Sequence, residues 1–190
     1  MPKAENDKLV SARRHRVTSR WNLDDEIVLI RSGSVLPMAG SDMEHSFHPH
    51  PDFAYLTGRG IPDAVLVYDA KEKHWELFGP RSSVDDQVWH QPADPIGLPL
   101  EELEGWLKAR EGRQIIEANT NTEVQNGIGE ERIRKDEMEL AALRSAAATS
   151  KAGFDWVYNT ASAGMTEREV QVGMEAEFFR AGAVRTAYPS

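Results

Sequence analysis

Two uninterrupted apolar runs, Ile27-Val28-Leu29-Ile30 and Ala64-Val65-Leu66-Val67, constrain the fold of this chain more than any other feature. Each is too short for a typical globular helix, and each is closed by turn chemistry: Ser32-Gly33-Ser34 after the first, Ala70-Lys71-Glu72-Lys73 after the second. A continuous run of this kind suits a strand buried on both faces. His74–Phe78 is expected to return as a hairpin partner of the second strand, although the positions of Trp75 and Leu77 do not settle which face it buries. Gln114–Ala118 reads as a further strand, and Asp52–Thr57 as a short aromatic one ending at Gly58. Helices are expected over Asn6–Arg16, Val84–Trp89 and Leu100–Arg110, the last with Leu100, Leu103 and Leu107 on one face. Strands and helices in alternation imply an α/β domain over residues 1–130.

The last third changes character. Asp136 followed by Glu139 is a capping-box pattern for a helix reaching about Tyr158, with Leu140, Leu143, Ala147, Phe154 and Tyr158 near one face. Thr166 with Glu169 opens a second helix that carries Val170, Met174 and Phe178 at i, i+4 and i+8, and Gly182 is its expected left-handed cap. Two helices without a sheet cannot bury both apolar faces. Residues 131–190 are therefore expected to pack on the first domain, on another chain, or on a domain that is absent.

Composition excludes several classes. Twenty-two Lys and Arg against 31 Asp and Glu leave a net charge of −9, the wrong sign for a generic nucleic-acid binder. No run approaches the ~18 apolar residues of a membrane span, so neither nucleic acid nor membrane is an expected partner. The absence of Cys removes disulfides and thiolate chemistry and points to a reducing cytoplasm. Most of the negative charge sits in residues 21–130. The first 20 residues are basic, and Lys8, Arg13, Arg14, Arg16 and Arg20 read as a solvated helix face or a partner contact rather than a nucleic-acid arm.

Few residues suggest chemistry. His45, His48 and His50 lie close together, and Pro49 and Pro51 bias the residues before them to extended backbone, which sets His48 and His50 on the same side. Neutral imidazoles in that arrangement could share a divalent ion, but the spacing is not that of a standard site. A solvated or hydrogen-bonded loop is the expectation. Asp85-Asp86 are adjacent helical positions that do not face one point. There is no nucleophile elbow and no phosphate loop. Trp89, just before a proline-rich loop, either seals a core edge or projects toward a ligand.

Read in order, several segments together resemble the aminopeptidase P/prolidase family. They are Phe47, Phe53-Ala54-Tyr55-Leu56-Thr57-Gly58 and Pro62-Asp63-Ala64-Val65-Leu66-Val67, then Leu77-Phe78 and Gln87-Val88-Trp89. The series continues with Arg132-Ile133-Arg134-Lys135-Asp136-Glu137, Gly164-Met165-Thr166-Glu167 and Glu177-Phe178-Phe179-Arg180-Ala181-Gly182. His48-Pro49-His50 departs from the Arg-Gln pattern that the family usually has there.

The resemblance implies a creatinase/prolidase-like N-terminal domain with a mixed sheet flanked by helices, followed by the first two helices of a pita-bread metallopeptidase domain. It implies a parent enzyme that removes an N-terminal residue ahead of proline, with two divalent ions (commonly Mn²⁺) as cofactors. The partners it implies are a proline-containing peptide as substrate and further copies of the chain. No residue here matches a metal-ligand or catalytic position of the family, so none is assigned and no cofactor is expected in this chain. Trp89 alone matches a binding position, as a substrate contact offered in trans to a neighbouring subunit. An alternative of another class is a non-catalytic, peptidase-like module whose acidic surface recognises basic proteins.

Overall fold

The computed structural model describes residues 3–81 and 97–187. The chain divides after Arg134 into two compact units. The first holds one mixed sheet of β1 (Ile27–Arg31), β2 (Val65–Asp69), β3 (His74–Gly79), β4 (Leu98–Pro99) and β5 (Ile115–Glu117), in the order β4-β3-β2-β1-β5. The central pairs β1–β2 and β2–β3 are antiparallel, whereas the outer pairs β1–β5 and β3–β4 are parallel. Among the described residues four α-helices accompany the sheet: α1 (Lys3–Thr18), α2 (Pro51–Thr57), α3 (Leu103–Lys108) and α4 (Thr122–Glu131). The architecture is α/β, with helices on both faces of a mixed sheet.

The apolar runs explain that layering. Successive strand side chains alternate between faces, so Val28 and Ile30 of β1 join Leu66 and Tyr68 of β2 on one side, against Val17 of α1, Phe53 and Leu56 of α2, and Val124 and Ile128 of α4. Ile27 and Leu29 join Val65, Val67 and Phe78 on the other, against Leu103, Trp106 and Leu107 of α3. Trp75 and Leu77 of β3 both pack on the first side. Burying each such side chain contributes about 1.5–3 kcal/mol, and both β1 and β2 collect that on two faces.

Three expectations are corrected. Asp52–Thr57 is not a strand but the body of α2. Pro51 occupies the first helical turn, the His50 ring accepts from the Asp52 N–H, and Gly58 closes the helix at φ 65°. Phe53, Leu56 and Thr57 recur at helical spacing and are all buried, so the aromatic content suggested a strand where cap and period specify a helix. A second correction is α4, which sequence reading omitted: Asn121 caps it through Val124 N–H, and Val124, Gly127 and Ile128 form its buried stripe.

The third correction concerns the basic start. α1 is longer than expected, and its arginines turn inward. Arg13 is buried and donates to Tyr55 O at 3.0 Å with its guanidinium over the Tyr55 ring. Arg16 pairs with Glu131 at 2.9 Å, and Arg20 meets both Glu131 and Glu130. Those hydrogen bonds, led by the one from Arg20, hold the Glu131 carboxyl below its ordinary range. The segment clasps α1 to α4.

The opposite side has its own clasp. Asp69, at the end of β2 and 1% exposed, accepts from Arg110 Nε at 2.7 Å and from Arg113 at 2.6 and 2.9 Å. It also accepts from Glu72 N–H in the β2–β3 turn. Burial pushes the Asp69 carboxyl up, but these donors outweigh it and hold the group far below the ordinary carboxylate range. Arg110 lies 3.5 Å from the centre of the Trp106 ring, which ties the clasp to α3.

The second unit is a hairpin of α5 (Glu137–Thr160) and α6 (Glu167–Arg180), each begun by a complete capping box, at Asp136 and Thr166. Gly182 at φ 99° ends α6, with Ala183 N–H returning to Phe178 O.

Asp69→Asn removes the charge and leaves two guanidiniums without their counter-ion, which is expected to cost about 3–5 kcal/mol of unfolding free energy at neutral pH. Because the folded Asp69 titrates below its unfolded value of about 3.9, its contribution is fully present above that value and fades as pH falls through the folded one. Denaturant titrations of both proteins from pH 7 to pH 2.5 check this. The gap between them should hold constant through the neutral range and narrow below about pH 4.

Candidate functional site

The residues that sequence reading singled out do not form a centre. Trp89, the expected helix Val84–Trp89 and Asp85-Asp86 lie outside the described residues. His45 is exposed, and its backbone N–H bonds Leu36 O in a small hairpin closed by the Pro37–Glu44 bridge. His48 Nδ1 lies 2.7 Å from Ser46 O, and His50 Nδ1 serves as the cap of α2. The loop is hydrogen-bonded to itself and to α2. Among the described residues no group of three or more His, Asp or Glu side chains is placed to hold a metal ion, so these residues do not fit one.

The buried carboxylates are likewise committed to structure. Asp52, 13% exposed at its side chain, accepts from Arg132 at 3.0 Å, which fixes the end of α4 to the first turn of α2. Asp69 is held ionised by two guanidiniums. A carboxylate with its pKa pressed that far down is a poor proton acceptor near neutral pH. Asp52 also lies 3.9 Å from His50 Nδ1, but that nitrogen already accepts from the Asp52 N–H as the cap of α2, so the pair too is committed to structure.

What the second unit offers is a surface. α5 and α6 meet where Gly153 lies under Phe178 and Met174, and where Gly173 lies under the Trp156 ring. Gly153 is the one residue of α5 that is buried, and α6 has none. Beside this contact runs a groove of about 560 Å³ lined by Ala146, Thr149, Ser150, Phe154, Phe178 and Arg185, among others. Leu143, Phe154 and Tyr158 are 55%, 64% and 89% exposed. That is an apolar helix face in water, the geometry of a docking surface rather than of a reaction centre.

Sequence reading did not single out Arg13, Asp52, Asp69, Arg110, Arg113 and Arg132 as a set, because ion pairs between residues 41 to 80 positions apart leave no local spacing to read. The two helical glycines did carry a signal. An isolated Gly inside a strong helical pattern points to close packing, and Gly153 and Gly173 both mark the α5–α6 contact.

Comparison with known proteins places this geometry. Residues 10–97 match the family described as the aminopeptidase P N-terminal domain. A probable Xaa-Pro aminopeptidase of Ajellomyces dermatitidis is 25% identical over 198 residues, covering 85% of this chain and 41% of that protein. The chain thus spans about two fifths of the length of the curated relatives it matches most extensively. A structure of a putative aminopeptidase P from Bacillus anthracis matches with a TM-score of 0.79 at 19% identity, over 95% of this chain and 53% of that one. Escherichia coli aminopeptidase P with the inhibitor Pro-Leu gives a TM-score of 0.78 at 19% identity, over 95% of this chain and 51% of that one. A zinc-substituted form of the same enzyme in complex with product also matches, with a TM-score of 0.75. At these identities the structures establish a shared fold.

The hairpin contact sets a clear expectation. Alanine is the better helix former by about 1 kcal/mol, yet a Cβ at residue 173 would enter the Trp156 ring. Overpacking of this kind costs about 1–3 kcal/mol. Gly173→Ala should therefore lower helical ellipticity at 222 nm and shift Trp156 emission, whereas Gly129→Ala, where a Cβ meets open space, should not. Equal or greater helicity in Gly173→Ala would rule out the close contact.

Proposed function

Because residues 10–97 carry an aminopeptidase P N-terminal domain, we propose that this chain is the N-terminal portion of a proline-specific metallo-aminopeptidase, which releases an N-terminal residue preceding proline. In this reading residues 1–130 serve oligomerisation and substrate gating, and residues 131–190 begin a pita-bread catalytic domain. The observation that carries it is the α5–α6 hairpin. It is well capped at both helix starts, yet it buries little and leaves Leu143, Phe154 and Tyr158 in water. Helices that are complete as helices and incomplete as a core call for further chain to cover them. The span of about two fifths of a curated relative supports the same view.

Two divalent ions, manganese in this reading, would supply an activated hydroxide and polarise the scissile carbonyl. The described residues of this chain do not hold them. Their part is to support the sheet unit from which Trp89 would reach a neighbouring subunit's substrate. Proline supplies no N–H in the bond to be cut, so recognition falls to shape, which suits a large aromatic. A cytoplasmic location belongs to the same proposal and is supported by the absence of Cys from these 190 residues; among the described residues no helix is long and apolar enough to cross a membrane. Binding of basic proteins draws less support, because Asp52, Asp69 and Glu117 of the acidic segment are already paired with arginines.

The purified 190-residue chain is expected to show no turnover of Xaa-Pro peptides and no stoichiometric manganese or zinc by elemental analysis. Cleavage by the chain free of any longer form would overturn the proposal. In the longer enzyme, Trp89→Ala should lower kcat/KM at least tenfold. Mixing with a catalytically inactive subunit that keeps Trp89 should restore activity. An unchanged kcat/KM would remove Trp89 from substrate contact.

A further inference from the structure

The small hairpin between β1 and α2 sets two methionines and a histidine on one face. Its base is closed by His50 N–H, which donates to Ser32 O at 2.8 Å. Pro37 and Glu44 form an antiparallel bridge, flanked by Met38 N–H to Met43 O and His45 N–H to Leu36 O, both at 2.9 Å. Gly40 at φ 72° and a bond from Met43 N–H to Ser41 Oγ at 3.0 Å shape the turn. Residues directly opposite across an antiparallel pair lie on the same side, and alternate residues along a strand return to it. Leu36, Met38, Met43 and His45 therefore share one face, and Pro37 and Glu44 share the other.

That register brings three donors within reach of one another. Opposite positions such as 38 and 43 set their Cβ atoms about 5 Å apart, and two residues of strand place position 45 about 7 Å from position 43. Met43 is 62% exposed, Met38 is half-buried and His45 is exposed. Among the described residues the His45 ring makes no hydrogen bond or ion pair. The donors found above not to hold a metal ion were imidazole and carboxylate; thioether sulfur adds a softer class. Thioethers select Cu(I), and imidazole also suits copper. Glu44, on the other face, keeps its carboxylate out of the set, and the chain has no Cys whose thiolate would compete.

We propose that Met38, Met43 and His45 form a site for Cu(I), three-coordinate through two thioether sulfurs and one imidazole nitrogen. It goes beyond the peptidase reading, because it takes a soft monovalent ion and is built wholly from the 36–45 hairpin.

The test uses the whole 190-residue chain with methyl-¹³C methionine, and Ag(I) as a redox-inert probe in chloride-free buffer. The Met38 and Met43 methyl signals and the His45 ring signals should move together and saturate at one equivalent, while Met138, Met165 and Met174 stay in place. Anaerobic competition for Cu(I) against bicinchoninate should then show at least tenfold weaker binding in the Met38→Leu/Met43→Leu double variant and in His45→Gln. Leucine conserves volume, so the double variant should keep the metal-free thermal midpoint. The proposal is overturned if the three residues do not respond together, if all methionines respond alike without saturation, or if the double variant binds Cu(I) as tightly as the parent chain. An equal response of the same three residues to Zn(II) would overturn the soft-metal assignment.

Discussion

A strand pair that is apolar on both faces cannot persist without a cover on each, and this requirement organises the first unit. β1 and β2 present Val28, Ile30 and Leu66 to one side and Ile27, Leu29 and Val67 to the other. Burial alone is non-directional. Direction comes from the ion pairs placed where the covers meet the sheet or each other. Glu131 with Arg16 and Arg20 locks α1 against α4, Arg132 with Asp52 locks α4 against α2, and Asp69 with Arg110 and Arg113 locks the α3 side. Breaking one of these leaves a charge without its partner, so the clasps specify the arrangement more than they add to its stability.

The parts legible from sequence were those whose cause is local. The apolar runs gave β1 and β2, and the turn at Ala70–Lys73 gave the hairpin to β3. The capping boxes at Asp136 and Thr166 placed the starts of α5 and α6. α2 was misread because Phe53 and Tyr55 favour strands by propensity, while its helix rests on Pro51, the His50 cap and burial against the sheet. The burial of Arg13 and the pairing of Arg16 and Arg20 were invisible, since their partners lie 42 to 115 positions away. Asn121 as a cap for α4 was visible in principle, with Val124 and Ile128 behind it, and its neighbouring glycines obscured the pattern. Trp89 was singled out as a substrate contact only through the family resemblance, because nothing in its local chemistry distinguishes a ligand contact from a core edge, and it lies outside the described residues.

The second unit faces the same requirement as the first and meets it only in part. Gly153 and Gly173 let α5 and α6 approach closely, with Phe178 and Trp156 filling the space that a side chain would take. That contact uses one stripe of each helix. The Ala-rich stretch of α5 over residues 141–148 stays exposed, and its high intrinsic helix propensity supports the helix there in place of packing.

The strand order has a consequence for how the protein emerges from the ribosome. β1, β2 and β3 are consecutive antiparallel neighbours and can pair as soon as residue 79 is free. The flank of β1 must wait for β5, whose Glu117 meets Arg31 across 86 positions, and α1, already tied to α2 through Arg13 and Arg14, lacks its clasp to α4 until Glu131 appears. At roughly 5–20 residues per second, the nascent chain carries a half-covered sheet and a basic helix fastened only to α2 for several seconds. During that interval the edge of β1 that will receive β5 exposes unpaired backbone groups to any other strand within reach.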